Sequence, residues 1–509
     1  MGRALLDRKR SGKWKARIVK QGFKEDKEAM DGPDFNYYAN VCELQSVRAL
    51  TLRPNRRDRR LCQVDVSTAF LQSNSYGPNE PPKYLKFRSP VNGELLYYKQ
   101  SGPIYGEASA PKRWEETIVP WLTSKSQGFV RGTSDKCVFH NSKTGVTLLL
   151  YVDDLLIDGD EDQVQAFLNA INGRFHCKPA EWLSSENPID HLGMNLMMDE
   201  NRIYISMASY IDKILDALDA QDIEPQTLPI KEHITDDEEV DPSIANWCRS
   251  VMGCTGWLAN TARPDVKYTH SRISRHLARP NKGMYKACKH LLGYLKAHKY
   301  LCIYQELNAQ TSSPPIANQA GWMFYCDSDF AGNPERNNKR RSQSGYISLQ
   351  GPACIMYGSK ASSCEFSTHD IVVTAHPKLK DAHADTSSGA SEIYATGNCV
   401  NDLLHLSYVM DEMGTPLPEP IELCLDNTTA EAFMNDSCER SKLKHIDTRQ
   451  YWVEELRDQE LIVPEHCPTE DNLADFFTKI LPPPTFKKFR DQFMTPYAPG
   501  TEFEDVQDK

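Results

Sequence analysis

Between Leu148 and Ile157 an apolar run encloses two adjacent aspartates, Asp153 and Asp154. The flanks, Leu148–Val152 and Leu155–Ile157, predict two short buried strands with the acid pair at the turn between them. Leu61–Leu71 is a second strand-like run; it holds one acid, Asp65, and leads toward a short helix. Val164, Phe167, Leu168 and Ile171 recur at helical spacing and predict a helix over Glu161–Phe175. Arg202–Ser206 predicts a strand, Tyr210–Leu218 an amphipathic helix, and Tyr285–Leu292 another with a basic face. In the last third, Phe324–Asp329 and Leu423–Asn427 predict strands ending in acids. Ser391–Ala395 predicts the start of a helix, and Asn472–Asp475 opens the last helical stretch.

Acids placed this way carry a cost. Ionised carboxylates near one another and near apolar strands repel and are expensive to desolvate. A divalent cation between them removes that cost. An Asp-Asp pair between strands is also ordinary hairpin chemistry with solvated acids. Asp65 beside Asp153 and Asp154 changes the balance: three carboxylates would hold two Mg²⁺ ions for phosphoryl transfer.

Composition bounds the class. At 509 residues the chain is long enough for three or four domains, and 40% apolar content supports real cores. No run of about 18 apolar residues appears, and the basic, polar N-terminus lacks a secretory apolar core. The 15 cysteines include no Cys-x-x-Cys pair and read as reduced thiols of an intracellular protein. Net charge is −11, awkward for a nucleic-acid enzyme, but residues 1–60 hold 16 Lys/Arg against 8 Asp/Glu. That basic front end suits template phosphates or is a solvated terminus. Acidic surplus at Asp236–Glu239 and after Thr501 reads as a linker and a frayed end.

Several spaced motifs resemble one family, the copia-type (Pseudoviridae) LTR retrotransposon Pol polyprotein. Tyr151-Val152-Asp153-Asp154 resembles the catalytic box of reverse transcriptases. Lys15–Phe23 is similar to the family's fingers strand and Gln63–Leu71 to its first catalytic strand. Tyr105-Gly106, Ala110-Pro111 and Trp114 keep the register of its substrate platform, and His191–Met194 looks like its primer grip. The resemblance implies that Asp65, Asp153 and Asp154 carry metal. It implies that Lys15 and Arg17 meet the triphosphate, and that Tyr105, Gly106 and Tyr151 line the nucleotide site. Phe70 would lie beneath the sugar, clash with a 2′-hydroxyl and so select deoxynucleotides, and Leu192, Gly193 and Met194 would grip the primer.

Strand, helix, strand and helix converging four acids is the plan of the RNase H fold, and the order resembles the family's RNase H domain. There Asp327, Glu392, Asp426 and Asp475 would hold two Mg²⁺ (Mn²⁺ being an alternative), with His466 as a loop histidine that helps product leave. Lys444–Asp447 also matches the family pattern. Each of these acids taken singly also suits a solvated surface or a helix cap. The implied fold class is α+β: a right-hand polymerase with fingers, palm and thumb, a connecting helical region and an RNase H-like α/β domain. Its expected divisions are 1–200 fingers and palm, 201–245 thumb and linker, 246–315 connection, 316–495 RNase H-like domain and 496–509 tail. Implied partners are RNA/DNA template-primer, dNTPs and RNA–DNA hybrid, with no membrane. The implied location is the cytoplasm, retrotransposon particles or the nucleus.

Three departures point to decay. Glu107-Ala108-Ser109 stands where the family usually has Leu-Lys-Gln, which puts an anion near the bound triphosphate. Arg53–Arg60, with Pro54, replaces an apolar helix end, and proline inside a helix costs about 3 kcal/mol. Phe366–Asp385 lengthens the loop before Glu392 and threatens to misplace that acid; its His369, His376 and His383 match no usual zinc spacing. Two rivals therefore stand beside the enzyme: an inactive, decayed element, and a host-retained nucleic-acid-binding protein.

Overall fold

The computed structural model describes residues 2–8, 14–54, 59–89, 91–234, 239–307, 321–330, 342–361, 388–435 and 452–500. The chain divides into two compact units, residues 1–46, 58–182 and 412–414 in one, and 47–57, 183–411 and 415–509 in the other. Phe366–Asp385, Lys444–Asp447 and the tail after Thr501 lie outside the described residues, as does most of Asp236–Glu239.

The first unit holds β1 (Gly2–Arg8), β2 (Trp14–Lys20), β3 (Arg60–Asp65), β4 (Tyr84–Arg88), β5 (Leu95–Lys99), β6 (Val130–Arg131), β7 (Val138–Asn141), β8 (Val146–Tyr151), β9 (Asp154–Gly159) and β10 (Glu181–Trp182). β8 and β9 are the two strands predicted around the acid pair. They lie inside an antiparallel sheet of order β10-β3-β9-β8-β7-β6. Leu148, Leu155 and Ile157 are fully buried in its core with Cys62, Val64 and Trp114, which explains the unbroken apolar run. β1–β2 and β4–β5 form separate antiparallel hairpins.

Helices α1 (Lys27–Asp31), α2 (Leu44–Thr51), α3 (Ala110–Leu122) and α4 (Glu161–Arg174) follow in order. Asp160 caps α4 by accepting from the backbone N–H groups of Asp162 and Gln163, and the predicted stripe Val164, Phe167, Leu168 and Ile171 is buried. Helix α2 closes at Thr51, so Pro54 stands beyond its end and the expected cost of a proline inside the helix does not arise.

Besides residues 47–57, which include most of α2, the second unit holds β11 (Ile189–His191), β12 (Met194–Met198), β13 (Arg202–Ser206) and α5 (Ala208–Ala217). The helical segments α6 (Ala245–Thr261), α7 (Lys267–Ser274) and α8 (Lys282–Ala297) come next, then β14 (Leu301–Glu306). The predicted strand and amphipathic helix appear as β13 and α5, the latter burying Ile211, Ile214 and Leu215. Strands β15 (Trp322–Asp329), β16 (Gln343–Gln350) and β17 (Ala353–Ala361) precede α9 (Ser388–Glu412), β18 (Ile421–Leu425), α10 (Thr428–Met434), α11 (Trp452–Asp458), β19 (Ile462–His466), α12 (Pro483–Phe493) and β20 (Met494–Pro496). One sheet has the order β11-β12-β13-β14-β20, the other β17-β16-β15-β18-β19. In the latter β17, β16 and β15 run antiparallel, while β15–β18 and β18–β19 are parallel. The described residues thus form an α+β first unit and a second unit with a mixed α/β sheet. Among the described residues no helix is long and apolar enough to cross a membrane, and the described cysteines are free thiols.

One close approach sets the geometry near the first acid group. Gly22 donates its backbone N–H to Gly106 O at 2.7 Å, and Lys20 donates to Tyr105 O at 2.8 Å. Gly106 has φ +78°, and a Cβ there would lie 2.2 Å from Lys20 O. Gly106→Ala is therefore expected to cost ~2–4 kcal/mol through strain and overlap together. Urea denaturation checks this; a loss within about 0.5 kcal/mol, as at an ordinary surface site, would contradict the tight approach.

Candidate functional site

Asp65 is the last residue of β3 and pairs directly with Asp154, the first of β9. Directly opposite residues on an antiparallel pair share a face. Tyr151 is Asp154's partner on β8, so Val152 and Asp153 make the turn. Val152 takes the left-handed conformation at φ +56°. That turn is held from two sides: Val66 N–H donates to Asp153 O at 2.6 Å, and the buried Trp114 indole donates to Val152 O. Trp114, read from the sequence as part of a platform motif, therefore fixes the hairpin's tip.

Asp154 is pushed up to about 7 by burial, then by Asp153 and Asp65. Asp65 also gives a carboxylate oxygen to Lys178, which half-faces solvent. Tyr105 lies in the same field: burial and Asp153 push its phenol up, while Arg17 opposes them. Its ring stands 5.2 Å from Phe70, and the Arg17 guanidinium is 5.8 Å from its centre. The structure thus gathers Asp65, Asp153, Asp154, Phe70, Tyr105 and Arg17. Gly106 is the close-packed turn described above. For Lys15 only the backbone, inside β2, is described. Leu192 (φ +53°) and Gly193 (φ +80°) form the two-residue turn between β11 and β12, and Met194 is fully buried. These three belong to the second unit.

Glu107 corrects the expectation of a stray anion. Its side chain is buried between Lys83 at 3.3 Å and Lys20 at 3.7 Å, accepts from Tyr76 at 2.6 Å and from Gln100 at 3.1 Å. Two lysines take up its charge.

The second acid group is tighter. Asp327 is on β15, Asp426 directly follows β18, and Asp475 lies in a 3₁₀ turn, Leu473–Phe477. The expected helix start at Asn472–Asp475 is therefore this turn, capped by Asn472, and α12 begins only at Pro483. Carboxylate oxygens of Asp327, Asp426 and Asp475 lie within 4.8 Å of one another; among the described residues no other acid, His or Cys group converges this closely. The first group's three acids do not.

Glu392 is buried on α9 and pushed up to about 10 by burial, then by Asp327, Cys326 and Asp426, against a hydrogen bond donated by the Ser328 backbone N–H. The Ser391 and Ser328 hydroxyls bond beside it. Whatever path residues 366–385 follow, Glu392 stands with the other acids, which corrects the expectation that the insertion displaces it. Asp475 is pushed up to about 7 by burial and Asp327, with Lys479 opposing. His466 ends β19 opposite Leu425, next to Asp426, with Nδ1 3.6 Å from Glu431. Sequence reasoning missed Lys178, Thr478 and Lys479. The four-residue spacing of Asp475 and Lys479 was a usable signal; Lys178 had none, being 113 residues from Asp65.

Comparison with known proteins fits this geometry. Residues 4–232 match the family model for "Reverse transcriptase (RNA-dependent DNA polymerase)". The chain is 26% identical over 493 residues to the Retrovirus-related Pol polyprotein from transposon TNT 1-94 of Nicotiana tabacum, covering 92% of this chain and 33% of that protein. It is 25% identical to the polyprotein from transposon RE1 of Arabidopsis thaliana (94% and 30%) and 23% identical to the Transposon Ty1-BR Gag-Pol polyprotein of Saccharomyces cerevisiae (95% and 26%). The chain spans about a quarter to a third of the length of these curated relatives. A solved LC11-RNase H1 in complex with RNA/DNA hybrid aligns with 31% of the chain and 93% of its own, at 14% identity and a TM-score of 0.21, too low to bear on the fold. Along nearly its whole length the chain is thus similar to part of the Pol and Gag-Pol polyproteins of transposons.

Two outcomes follow from these interactions. Because the folded-state value of Asp154 is raised, the folded chain keeps a proton that the unfolded chain releases. That stabilisation is complete below about pH 3.8 and is lost as pH rises through about 7. In EDTA, Asp154→Asn should flatten part of the fall in melting temperature across this window; an unchanged slope would refute the acid crowding. Glu107→Ala leaves Lys20 with Glu25 and Lys83 with Asp31 but removes the buried acceptor shared by both lysines, Tyr76 and Gln100. It should cost about 2 kcal/mol by chemical denaturation, whereas a solvated anion would cost almost nothing.

Proposed function

We propose that the chain is an RNA-directed DNA polymerase with RNase H activity, extending a primer with dNTPs on RNA or DNA and cutting the RNA strand of the hybrid. The observation that carries this reading is the convergence of Asp327, Asp426 and Asp475 within 4.8 Å, with Glu392 beside them, in a chain whose residues 4–232 match a reverse transcriptase family. On this reading the fingers and palm are residues 1–200, thumb and linker 201–245, connection 246–315, RNase H-like domain 316–495 and tail 496–509.

The donor set fits Mg²⁺, or Mn²⁺: hard carboxylate oxygens, crowded enough to be held partly protonated without a cation. Asp65, Asp153 and Asp154 would hold two ions in one site, Asp327, Glu392, Asp426 and Asp475 two in the other. When bound, such ions lower the pKa of the attacking oxygen and steady the leaving oxygen.

The chain's own residues do the positioning. Phe70 against Tyr105 forms a floor that a 2′-hydroxyl would strike, which favours deoxynucleotides. Arg17, over Tyr105, and Lys15 on the same strand meet the triphosphate. Tyr105 and Gly106 line the nucleotide site, with Gly106 packed on the Lys20 backbone, and Tyr151 flanks Asp154. The Leu192–Gly193 turn, with Met194 behind it, holds the primer end. His466 helps the cleaved RNA leave.

Primer extension with Mg²⁺ on an RNA template, beside Asp153→Asn, tests the polymerase; hybrid cleavage beside Asp327→Asn tests the nuclease. Each substitution should lower its own activity by about 10²-fold or more and leave the other intact. Salt-sensitive hybrid binding, equal in wild type and variants and without extension or cleavage, would support the binding-protein reading instead.

A further inference from the structure

The RNase H-side acids have an unassigned neighbour. Lys479 Nζ bonds an Asp475 oxygen and stands 3.5 Å from an Asp327 oxygen. We propose that Lys479 is a tethered counter-ion for this site: without a divalent ion its ammonium holds Asp327 and Asp475 together, and it cedes their oxygens when an ion enters. This rests on the nuclease reading above.

The position of the lysine is built, not incidental. Thr478 and Lys479 directly follow the 3₁₀ turn, and both backbone N–H groups donate to Asp475 O, at 3.2 and 3.1 Å. The turn is fixed to the sheet: Ser359 donates to Phe477 O at 2.6 Å, and Gly345 has no Cβ because one would lie 2.7 Å from Phe477 Cβ and from Thr478 Cγ2. Thr478 Oγ1 donates to the same Asp327 oxygen that Lys479 approaches. Neighbouring residues of one turn thus address two acids, and the lysine stem is only 34% exposed.

The competition is a matter of space and charge. Magnesium binds oxygen at about 2.0–2.1 Å and demands near-octahedral geometry. An ammonium within hydrogen-bonding reach of those oxygens blocks part of that shell. Four acids and one lysine leave an excess of negative charge, so a doubly charged ion at the shared oxygens displaces the single charge. The lysine then stabilises the empty site and weakens metal loading.

The test uses the full chain and Lys479→Met, which keeps the stem's bulk and removes the charge. Mn²⁺ binding is followed by electron paramagnetic resonance, and melting temperature is measured in EDTA and in Mg²⁺. Lys479→Met should melt about 2–4 °C lower in EDTA, gain more from Mg²⁺ than wild type, and bind Mn²⁺ about tenfold more tightly at this site. An Mn²⁺ affinity within twofold of wild type, or weaker, overturns the proposal, as does an unchanged melting temperature in EDTA. If Lys479→Met does not fold in EDTA, the double variant Lys479→Met/Asp475→Asn decides. Recovery of folding supports charge balance, and continued failure overturns it in favour of stem packing. A wild-type chain whose Mn²⁺ binding is indifferent to Asp327→Asn would instead sink the nuclease reading, which keeps the two failures apart.

Discussion

Repulsion between carboxylates that folding forces together is the constraint on which both sites depend. In one unit a β-hairpin and its neighbouring strand bring Asp154 opposite Asp65, with Asp153 in the turn. In the other, the ends of β15 and β18 and a 3₁₀ turn bring Asp327, Asp426 and Asp475 within 4.8 Å. Neither arrangement is favourable for ionised oxygens in low dielectric. Each group has a lysine on one of its members, Lys178 on Asp65 and Lys479 on Asp475. The rigid surroundings keep the acids in place: Trp114 against the hairpin turn, and Phe477 against β17.

Much of this was legible in the chain. The apolar run around Asp153 and Asp154 has a single explanation in the fold, since both strands are interior to one sheet. The α4 stripe and the β13–α5 pair were readable because local period and tertiary burial agree there. The 3₁₀ turn at Asp475 was not, because Leu473, Phe476 and Phe477 are buried in a pattern that short turns and helices share. Lys178 was invisible for a different reason: its partner lies far off in sequence, and only the closing of β10 onto β3 brings its neighbourhood to Asp65.

The departures that looked like decay carry different weights once placed. Pro54 falls past the end of α2, and Glu107 is enclosed by Lys20, Lys83, Tyr76 and Gln100. An unusual residue with its charge answered by neighbours is a substitution accommodated as a set, since Lys83 also pairs with Asp31, and Asp31 with Arg113. Glu392, next to the lengthened segment, is tied to β15 through Ser328. Tethering an acid to a strand makes its position insensitive to how much chain precedes it, because closing a longer loop costs only slowly increasing entropy.

The interlock of Gly22 and Gly106 reaches further than local strain. Each glycine's missing side chain is space used by main chain of the facing segment: a Cβ on Gly22 would lie 2.4 Å from Gly106 O, and one on Gly106 would lie 2.2 Å from Lys20 O. Neither obstruction is relieved by altering the opposite partner, since what stands in the way is main chain. A side chain at either position has no compensating change available, so variation beside the Asp65–Asp154 acids falls to Phe70, Tyr105 and Arg17 rather than to this stretch of bare backbone.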